Sequence, residues 1–276
     1  MSIATQTRPA VEPTRSPTTD RGTVTFPRVV RSEWIKLRTL RSSWITLFAA
    51  VAAMILIGTL IGYNTGKNWA GLAPEDAVPS GAMQGYFLGQ LLIGVLGVLF
   101  VSGEYSTGMI RSTLAAVPKR IPVLLAKTVV FGATALVAMV SAALLAFGGA
   151  QIFLSHYGHG SALSDPGVLR VVVGTGVYLA LIGLLGGALG WILRNTAGGI
   201  ATLVGLLLVV PVLLEVLPWQ WLKDIGRYLP GNAGGSFVSS IQVPDTLTPW
   251  TGLTVLALWV VAALGVAAVL LKRRDS

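Results

Sequence analysis

The sequence contains no cysteine and only two histidines. Without cysteine the chain forms no disulfide bond, no thiolate metal site and no cysteine nucleophile, although this absence says nothing about its redox compartment. The sequence also lacks the HExxH zinc motif, the GxSxG nucleophile elbow and the phosphate-binding P-loop. The triplet Gly66-Lys67-Asn68 comes nearest to a P-loop, but Asn68 stands where Ser or Thr is required. We therefore expect that this chain does not hydrolyse ATP.

Charged residues are also scarce. They make up 11% of the 276 residues, whereas 53% are hydrophobic and the mean hydropathy is +0.74. A soluble domain of this length cannot bury so much apolar surface. An α-helix needs about 20 apolar residues to cross a hydrocarbon core of about 30 Å. Uncharged windows of that order lie at 44–63, 85–102, 128–155, 171–193, 197–214 and 248–271. The sequence therefore predicts an all-α, multi-pass membrane protein with six transmembrane helices.

None of the six windows contains Asp, Glu, Lys or Arg. A charge at the bilayer centre costs about 2.5 to 3.5 kcal/mol even on the milder insertion scale, so proton and ion relays show as isolated charges within spans. Because the windows carry no such charge and no catalytic cluster, we expect the energy for any work to come from a partner protein.

The cations are distributed unevenly between the loops. Sixteen of the 20 Lys and Arg residues lie before the first window, between the second and third, between the fourth and fifth, or after the sixth. Cytoplasmic loops carry this excess of positive charge, so both termini are predicted to be cytoplasmic. The net charge of +9 then reports topology, and we do not expect nucleic-acid binding.

The chain before the first window has two parts. Residues 1–27 are rich in Thr, Pro, Ser and Arg, which predicts a disordered cytoplasmic tail in front of a membrane domain at 28–276. In RVVRSEWIKLRTLRSSW, apolar residues recur at helical spacing, with arginines on the other face: Val30, Trp34, Leu37 and Trp44 against Arg28, Arg31 and Arg38. This predicts an amphipathic helix on the cytoplasmic leaflet; an ordinary basic flank of the first span is the alternative.

The second and third windows are joined by the polar stretch GEYSTGMIRSTLAAVPK, residues 103–119. Ser106 or Thr107 is a suitable cap for a helix that runs through Leu114 and ends near Pro118. Such a helix has about two turns, too few to span a membrane, and would lie along the cytoplasmic surface. On these residues alone, a basic loop with a local turn, bent at Gly108, is an equal alternative.

Two predicted outer segments also stand out. His156 and His159 have an H-x-x-H spacing, but the neighbouring glycines favour a turn and no third ligand is in sight, so we favour solvated histidines over a metal site. Farther along, Trp219, Leu222 and Ile225 form a short apolar stripe. This predicts a small interfacial helix, followed by a Gly-rich turn.

Small residues dominate the fourth window. Two interleaved GxxxG pairs predict close approach of another helix; they are formed by Gly183, Gly186, Gly187 and Gly190. In the fifth window, Pro211 predicts a kink.

Three stretches together resemble the permease subunits of ATP-binding-cassette (ABC) exporters, in the type-2 membrane-protein family and especially its actinobacterial members. They are RVVRSEWIKLRTLRSSW, GEYSTGMIRSTLAAVPKRIPVLLAK and GGALGWILRNTAGGI. The resemblance extends over 28–276 in layout, but only these stretches are specific. It implies a six-span subunit of the bacterial cytoplasmic membrane that contacts membrane lipids, pairs with a second permease and docks on separate cytoplasmic ATPase subunits.

The loop after the second window resembles the coupling helix of that family, which contacts the ATPase. The matching positions are Glu104, Thr107, Gly108, Arg111, Ser112 and Thr113, with Leu114 on the same short helix. The resemblance implies transport by alternating access, driven by ATP hydrolysis on the partner, with no cofactor on this chain.

Several alternatives remain open at this stage. We expect a homodimer, and a heterodimer with a paralogous permease is the other arrangement. The cargo is not specified, since the apolar spans suit lipids, amphiphilic drugs and peptides alike. A non-transport anchor or sensor component is the second hypothesis for function. A membrane enzyme that uses His156, His159 and Asp165 is the third.

Overall fold

The computed structural model describes residues 25–69, 83–117, 119–241 and 245–273. Most of the segment predicted to be disordered, residues 1–24, lies outside these ranges, as does Pro118. The helices are α1 (Phe26–Thr39), α2 (Arg41–Lys67), α3 (Tyr86–Ser106), α4 (Met109–Ala116), α5 (Arg120–His156), α6 (Val168–Leu193), α7 (Thr196–Val204), α8 (Val210–Val216), α9 (Gln220–Gly226), α10 (Pro230–Val238) and α11 (Pro249–Arg273).

The six predicted spans are confirmed. In the described part of the chain, six helices are long and apolar enough to cross a membrane: α2, α3, α5, α6, the continuous segment Thr196–Val216 that contains α7 and α8, and α11. Each helix is longer than its uncharged window because flanking polar residues continue it. The longest, α5, has 37 residues and so measures about 55 Å, well over the bilayer core.

The bundle has two ends that are built from different helices. We call one end the base; it is formed by α1, α4, the start of α5 and the ends of α3 and α6. Apolar side chains from these helices and from the end of α11 share one core cluster there, which includes Val29, Ile110, Leu114, Trp191 and Leu271. The larger core cluster fills the rest of the bundle. The opposite end carries α9 and α10.

The fifth span changes geometry where proline enters it. Gly205–Val209 forms π-helical turns between α7 and α8, directly before Pro211. Proline has no N–H to donate and its ring crowds the carbonyl of the residue four positions earlier, which is Leu207. A wider π-turn is one of the known responses to such an interruption. The irregularity predicted at Pro211 therefore appears as a change of helix type in the preceding turn.

Glycines bring α3 and α6 into backbone contact. A Cβ atom added at Gly97 on α3 would overlap the carbonyl oxygen of Gly183 on α6, and one added at Gly186 would overlap the carbonyl oxygen of Gly94. A Cβ atom added at Gly190 would lie 3.0 Å from atoms of Val98 and Val101, closer than ordinary van der Waals contact, while one added at Gly187 would have more room. In a membrane, where lipid tails compete for apolar surface, such close approach is a main source of helix association.

The prediction of a Gly-rich turn after α9 is wrong, because residues 230–238 form α10. Pro230 occupies the first turn of α10, where its missing N–H costs nothing and its fixed φ favours a helix. The glycines instead allow close packing, since a Cβ atom at Gly234 would overlap the ring of Tyr178. The short helix expected before this segment is present as α9. Trp219, which precedes α9, and Trp221, within it, are each more than half exposed.

We predict that Gly186→Ala destabilises the protein by about 1 to 3 kcal/mol, because the new methyl group meets the backbone of α3 and cannot be relieved by a rotamer change. Gly148→Ala is the matched control, since Gly148 lies in α5 with no atom within 4 Å of an added Cβ. Thermal unfolding of the purified protein in detergent measures both. Equal transition temperatures for the two variants would contradict the α3–α6 contact.

Candidate functional site

The base of the bundle begins with the turn from α3 into α4. Gly108 precedes α4 and has φ 72°, in the left-handed region that favours glycine, so the chain bends here instead of continuing α3. The hydroxyls of Ser106 and Thr107 donate to the carbonyl oxygen of Gly103 at 3.0 and 2.9 Å. They therefore complete the end of α3, and the prediction that one of them caps α4 is wrong.

The short helix α4 has an inner and an outer face. Ile110 and Leu114 are buried against Val123 and Leu124 on α5 and neighbouring apolar side chains of the base. On the other face Met109, Arg111, Ser112, Ala115 and Ala116 are exposed. The helix is therefore fixed to the bundle by one side and presents a polar surface on the other.

The seven residues predicted to couple to a partner separate between these two environments. Thr107, Gly108, Arg111 and Ser112 are exposed and form one continuous stretch with the outer face of α4. Leu114 and Glu104 are buried, at 7% exposure each, and Thr113 is half-buried. The inner three contact other parts of this chain, so they support the surface from beneath.

Four charged side chains from three helices meet behind α4, and we call them the base charge cluster: Glu33 and Lys36 on α1, Glu104 on α3 and Lys127 on α5. Nζ of Lys127 lies 2.7 Å from Oε2 of Glu33 and 2.9 Å from Oε1 of Glu104. Nζ of Lys36 lies 2.7 Å from Oε1 of Glu33 and 3.0 Å from Oε1 of Glu104. Each lysine thus bridges both glutamates.

The cluster also reaches α4 and the apolar core. Lys36 donates a third hydrogen bond to the hydroxyl of Thr113 on α4, at 3.0 Å. Nζ of Lys127 lies 4.3 Å from the ring centroid of Phe100, in a cation–π contact that adds to its stabilisation. Through these contacts, α1, α3, α4 and α5 share one polar network.

Charge balance makes this burial tolerable. Glu33 is 1% exposed and Lys127 is 2% exposed, and a charge so deeply buried is very costly unless it is paired and hydrogen-bonded. Burial alone would lower the pKa of Lys36, but the hydrogen bond that Lys36 donates to Glu33 and the charges of Glu33 and Glu104 outweigh it and raise the pKa above its ordinary value. Lys36 is therefore charged at neutral pH, and two cations balance two anions.

Sequence reasoning missed most of this cluster. Glu33 lies among the arginines of α1, and Lys127 directly precedes the third uncharged window, so neither charge indicates a buried site. The available signal was the i, i+3 pair of Glu33 and Lys36 inside an otherwise basic helix. The inner face of α1 is formed by Val29, Glu33 and Leu37, whereas Trp34, which we placed on the apolar face, is 43% exposed.

At the opposite end, the histidine segment forms a turn, as its glycines predict. His156 ends α5, Gly158 has φ 80°, and the His159 ring stacks on Trp69 with centroids 3.9 Å apart. The Asp165 carboxylate accepts a hydrogen bond from the backbone N–H of Ala162. Within the described ranges, no group of three His, Cys, Asp or Glu side chains is arranged to hold a metal ion.

We predict that Lys127→Met costs about 3 to 5 kcal/mol, because it leaves two buried carboxylates with one cation. The double variant Lys127→Met/Glu104→Gln removes one charge of each sign and should recover a large part of that loss. The matched control is Lys119→Met, which makes the same chemical change at an exposed position and should stay within about 0.5 kcal/mol of the wild type. Thermal unfolding in detergent at neutral pH compares all three; equal stability of Lys127→Met and Lys119→Met would refute the pairing.

Comparison with known families identifies the family of this chain. A family model described as ABC-2 family transporter protein matches residues 29–218, a range that contains the whole base charge cluster, α4 and the first five spans. A comparison with curated proteins gives no significant match. The match covers more than half of the chain and confirms the family resemblance, while the actinobacterial affinity stays a prediction. The chain belongs to the ABC-2 family of transporter proteins, as a multi-pass membrane component with the architecture of a permease.

Proposed function

We propose that this chain is the permease subunit of an ATP-driven exporter and that the outer face of α4 is the surface that contacts a separate ATPase subunit. The observation that carries the proposal is the construction of α4. It is a two-turn helix with an exposed face of hydroxyls and one cation, and its inner face is tied to three other helices.

The exposed face suits a partner of polar and acidic character. Arg111 is its one cation between Thr107 and Ala116, and Ser112 and Thr107 add hydroxyl groups beside it. Met109 is 44% exposed and supplies an adaptable apolar contact. A partner groove with a carboxylate and a shallow apolar floor would complement this set.

The base charge cluster connects α4 to the transmembrane helices α3 and α5. A displacement of α4 acts on Thr113, whose hydroxyl is bonded to Lys36, and on Ile110 and Leu114, which pack on the start of α5. Lys127 lies on that same first part of α5, which continues through the bundle to His156. Closure of the ATPases on ATP would therefore move α1, α3 and α5 together, as alternating access requires.

The remaining parts of the proposal concern orientation and assembly. The base is cytoplasmic, in agreement with the excess of Lys and Arg in its loops, and both termini lie on that side. A second copy of the permease completes the unit, with a paralogous permease as the alternative. ATP hydrolysis belongs to the partner, since this sequence carries no P-loop.

The test replaces two exposed residues of α4 by glutamate, Arg111→Glu and Ala115→Glu. Leu114 is unsuitable for this purpose because it is buried, and its replacement would detach the helix. We expect the double variant to fold like the wild type but to lose at least about tenfold in ATPase affinity, a change of about 1.4 kcal/mol. Co-expression with the candidate ATPase, co-purification and ATP hydrolysis in proteoliposomes measure this.

Lys67→Glu is the control, since it reverses an exposed charge at the opposite end of α2. It should leave ATPase binding and permease-stimulated hydrolysis unchanged. If the double α4 variant retains both activities in full, α4 is not the coupling surface. If the wild type has no ATPase partner at all, the non-transport anchor or sensor function replaces the proposal.

A further inference from the structure

A cavity lies at the opposite end of the bundle, away from the base. Its volume is about 570 Å³, within the range of about 300 to 1,000 Å³ typical of small-molecule sites. The outer half of the fifth span forms one wall, the starts of α3 and α10 form others, and residues of α9 and of the turn after it line the mouth. Residues 242–244, which lie between described parts of this rim, are outside the described ranges.

The floor of the cavity is polar although it is enclosed by spans. Tyr178 is fully buried on α6, and its hydroxyl donates to the amide oxygen of Gln90 on α3. Gln90 is 3% exposed, and both side chains line the cavity. A buried amide and phenol inside spanning helices are costly to keep in an apolar environment, which marks this position as a candidate for binding.

The wall above this floor is apolar. Leu207, Leu208, Pro211 and Leu214 line it along one face of the fifth span. Glu215 lies eight positions after Leu207, which corresponds to a rise of roughly 12 Å along a helix. On the other face of the same helix, Val212 is 58% exposed to the surroundings of the bundle. The cavity therefore offers an apolar slot of several methylene lengths between a polar floor and a polar mouth.

Charges of both signs surround the mouth. Glu215 and Asp245 supply carboxylates, and Lys223 and Arg227 supply cations. Arg227 is already bound to Asp224, with Nη2 3.2 Å from Oδ1. Lys223 forms no ion pair with any residue in the described ranges and is exposed. A ligand head group with a separated anion and cation would meet a complementary partner for each charge.

We propose that this cavity binds a single-chain zwitterionic amphiphile, with its chain along the leucine wall and its head group at the Glu215–Lys223 mouth. Its identification as cargo rests on the proposed exporter function. A purely anionic or purely cationic head group of the same chain length should bind less well, because it would meet a like charge at the mouth and leave the opposite partner, Glu215 or Lys223, unpaired. The volume of about 570 Å³ favours one alkyl chain over two.

The test uses the purified full-length permease in nanodiscs, without any ATPase. The probe is an alkyl phosphocholine that carries a photoreactive group on its chain, and labelled peptides are identified by mass spectrometry. We expect saturable labelling of the fifth span and α10 that unlabelled alkyl phosphocholine displaces. An alkyl sulfate and an alkyl trimethylammonium of equal chain length should compete at least about tenfold less well.

Two variants of the fifth span provide the matched comparison. Leu208→Trp fills the slot and should reduce saturable labelling at least about tenfold, whereas Val212→Trp adds the same side chain on the exposed face and should leave it unchanged. Lys223→Glu makes the mouth acidic and should shift the preference towards the cationic competitor. Equal labelling of Leu208→Trp and Val212→Trp, or equal competition by all three head groups, would overturn the proposal.

The labelling result tests ligand binding separately from the exporter function. Labelling that follows these expectations in a protein with no ATPase partner would leave the binding site in place and remove its role as a cargo site. An ATPase partner confirmed at α4 together with non-saturable labelling would leave the exporter proposal intact and remove this one.

Discussion

Four paired charges at one end of an apolar bundle, three of them buried, constrain the rest of this structure. Glu33, Lys36, Glu104 and Lys127 come from three helices, and a buried charge among them is very costly without a partner of opposite sign. Their pairing requires α1 to fold back against the start of α5, and it places α4 within reach of Lys36 through Thr113. Such a cluster holds these helices in one defined arrangement at that end, because the loss of any of its contacts leaves a buried charge without its partner.

Packing above the cluster follows a different principle. The α3 and α6 backbones approach so closely that glycine is required at Gly97 and Gly186, and the contact is made by dispersion, not by polar groups. The charged base and the glycine-lined centre therefore stabilise different parts of the bundle. The centre holds two spans together as one unit, and the base links that unit to α1, α4 and α5.

Sequence patterns predicted the six spans and the glycine-rich fourth span because each depends on local composition or periodicity. For the segment after the second span they left a short helix and a basic loop as equal alternatives, and the structure has the helix. They failed where a residue's role depends on distant partners. Glu33 looked like one more surface charge of a basic helix, and its burial is decided by Lys127, 94 positions away. Similarly, the glycines of α10 suggested a turn, although they allow a helix to pack on Tyr178.

The most direct test of the account is a cross-link from α4 in native membranes. The chain has no cysteine, so Ala115→Cys, on the exposed face, gives a single reactive position, and Lys67→Cys at the opposite end gives the control. The account predicts that Ala115→Cys is captured by a P-loop ATPase, identified by mass spectrometry and joined through the membrane-facing surface of that subunit, and that Lys67→Cys is not. Cross-links from Ala115→Cys only to lipid or to a second permease, with the protein folded and the ATPase present, would contradict the assignment of α4 as the coupling surface.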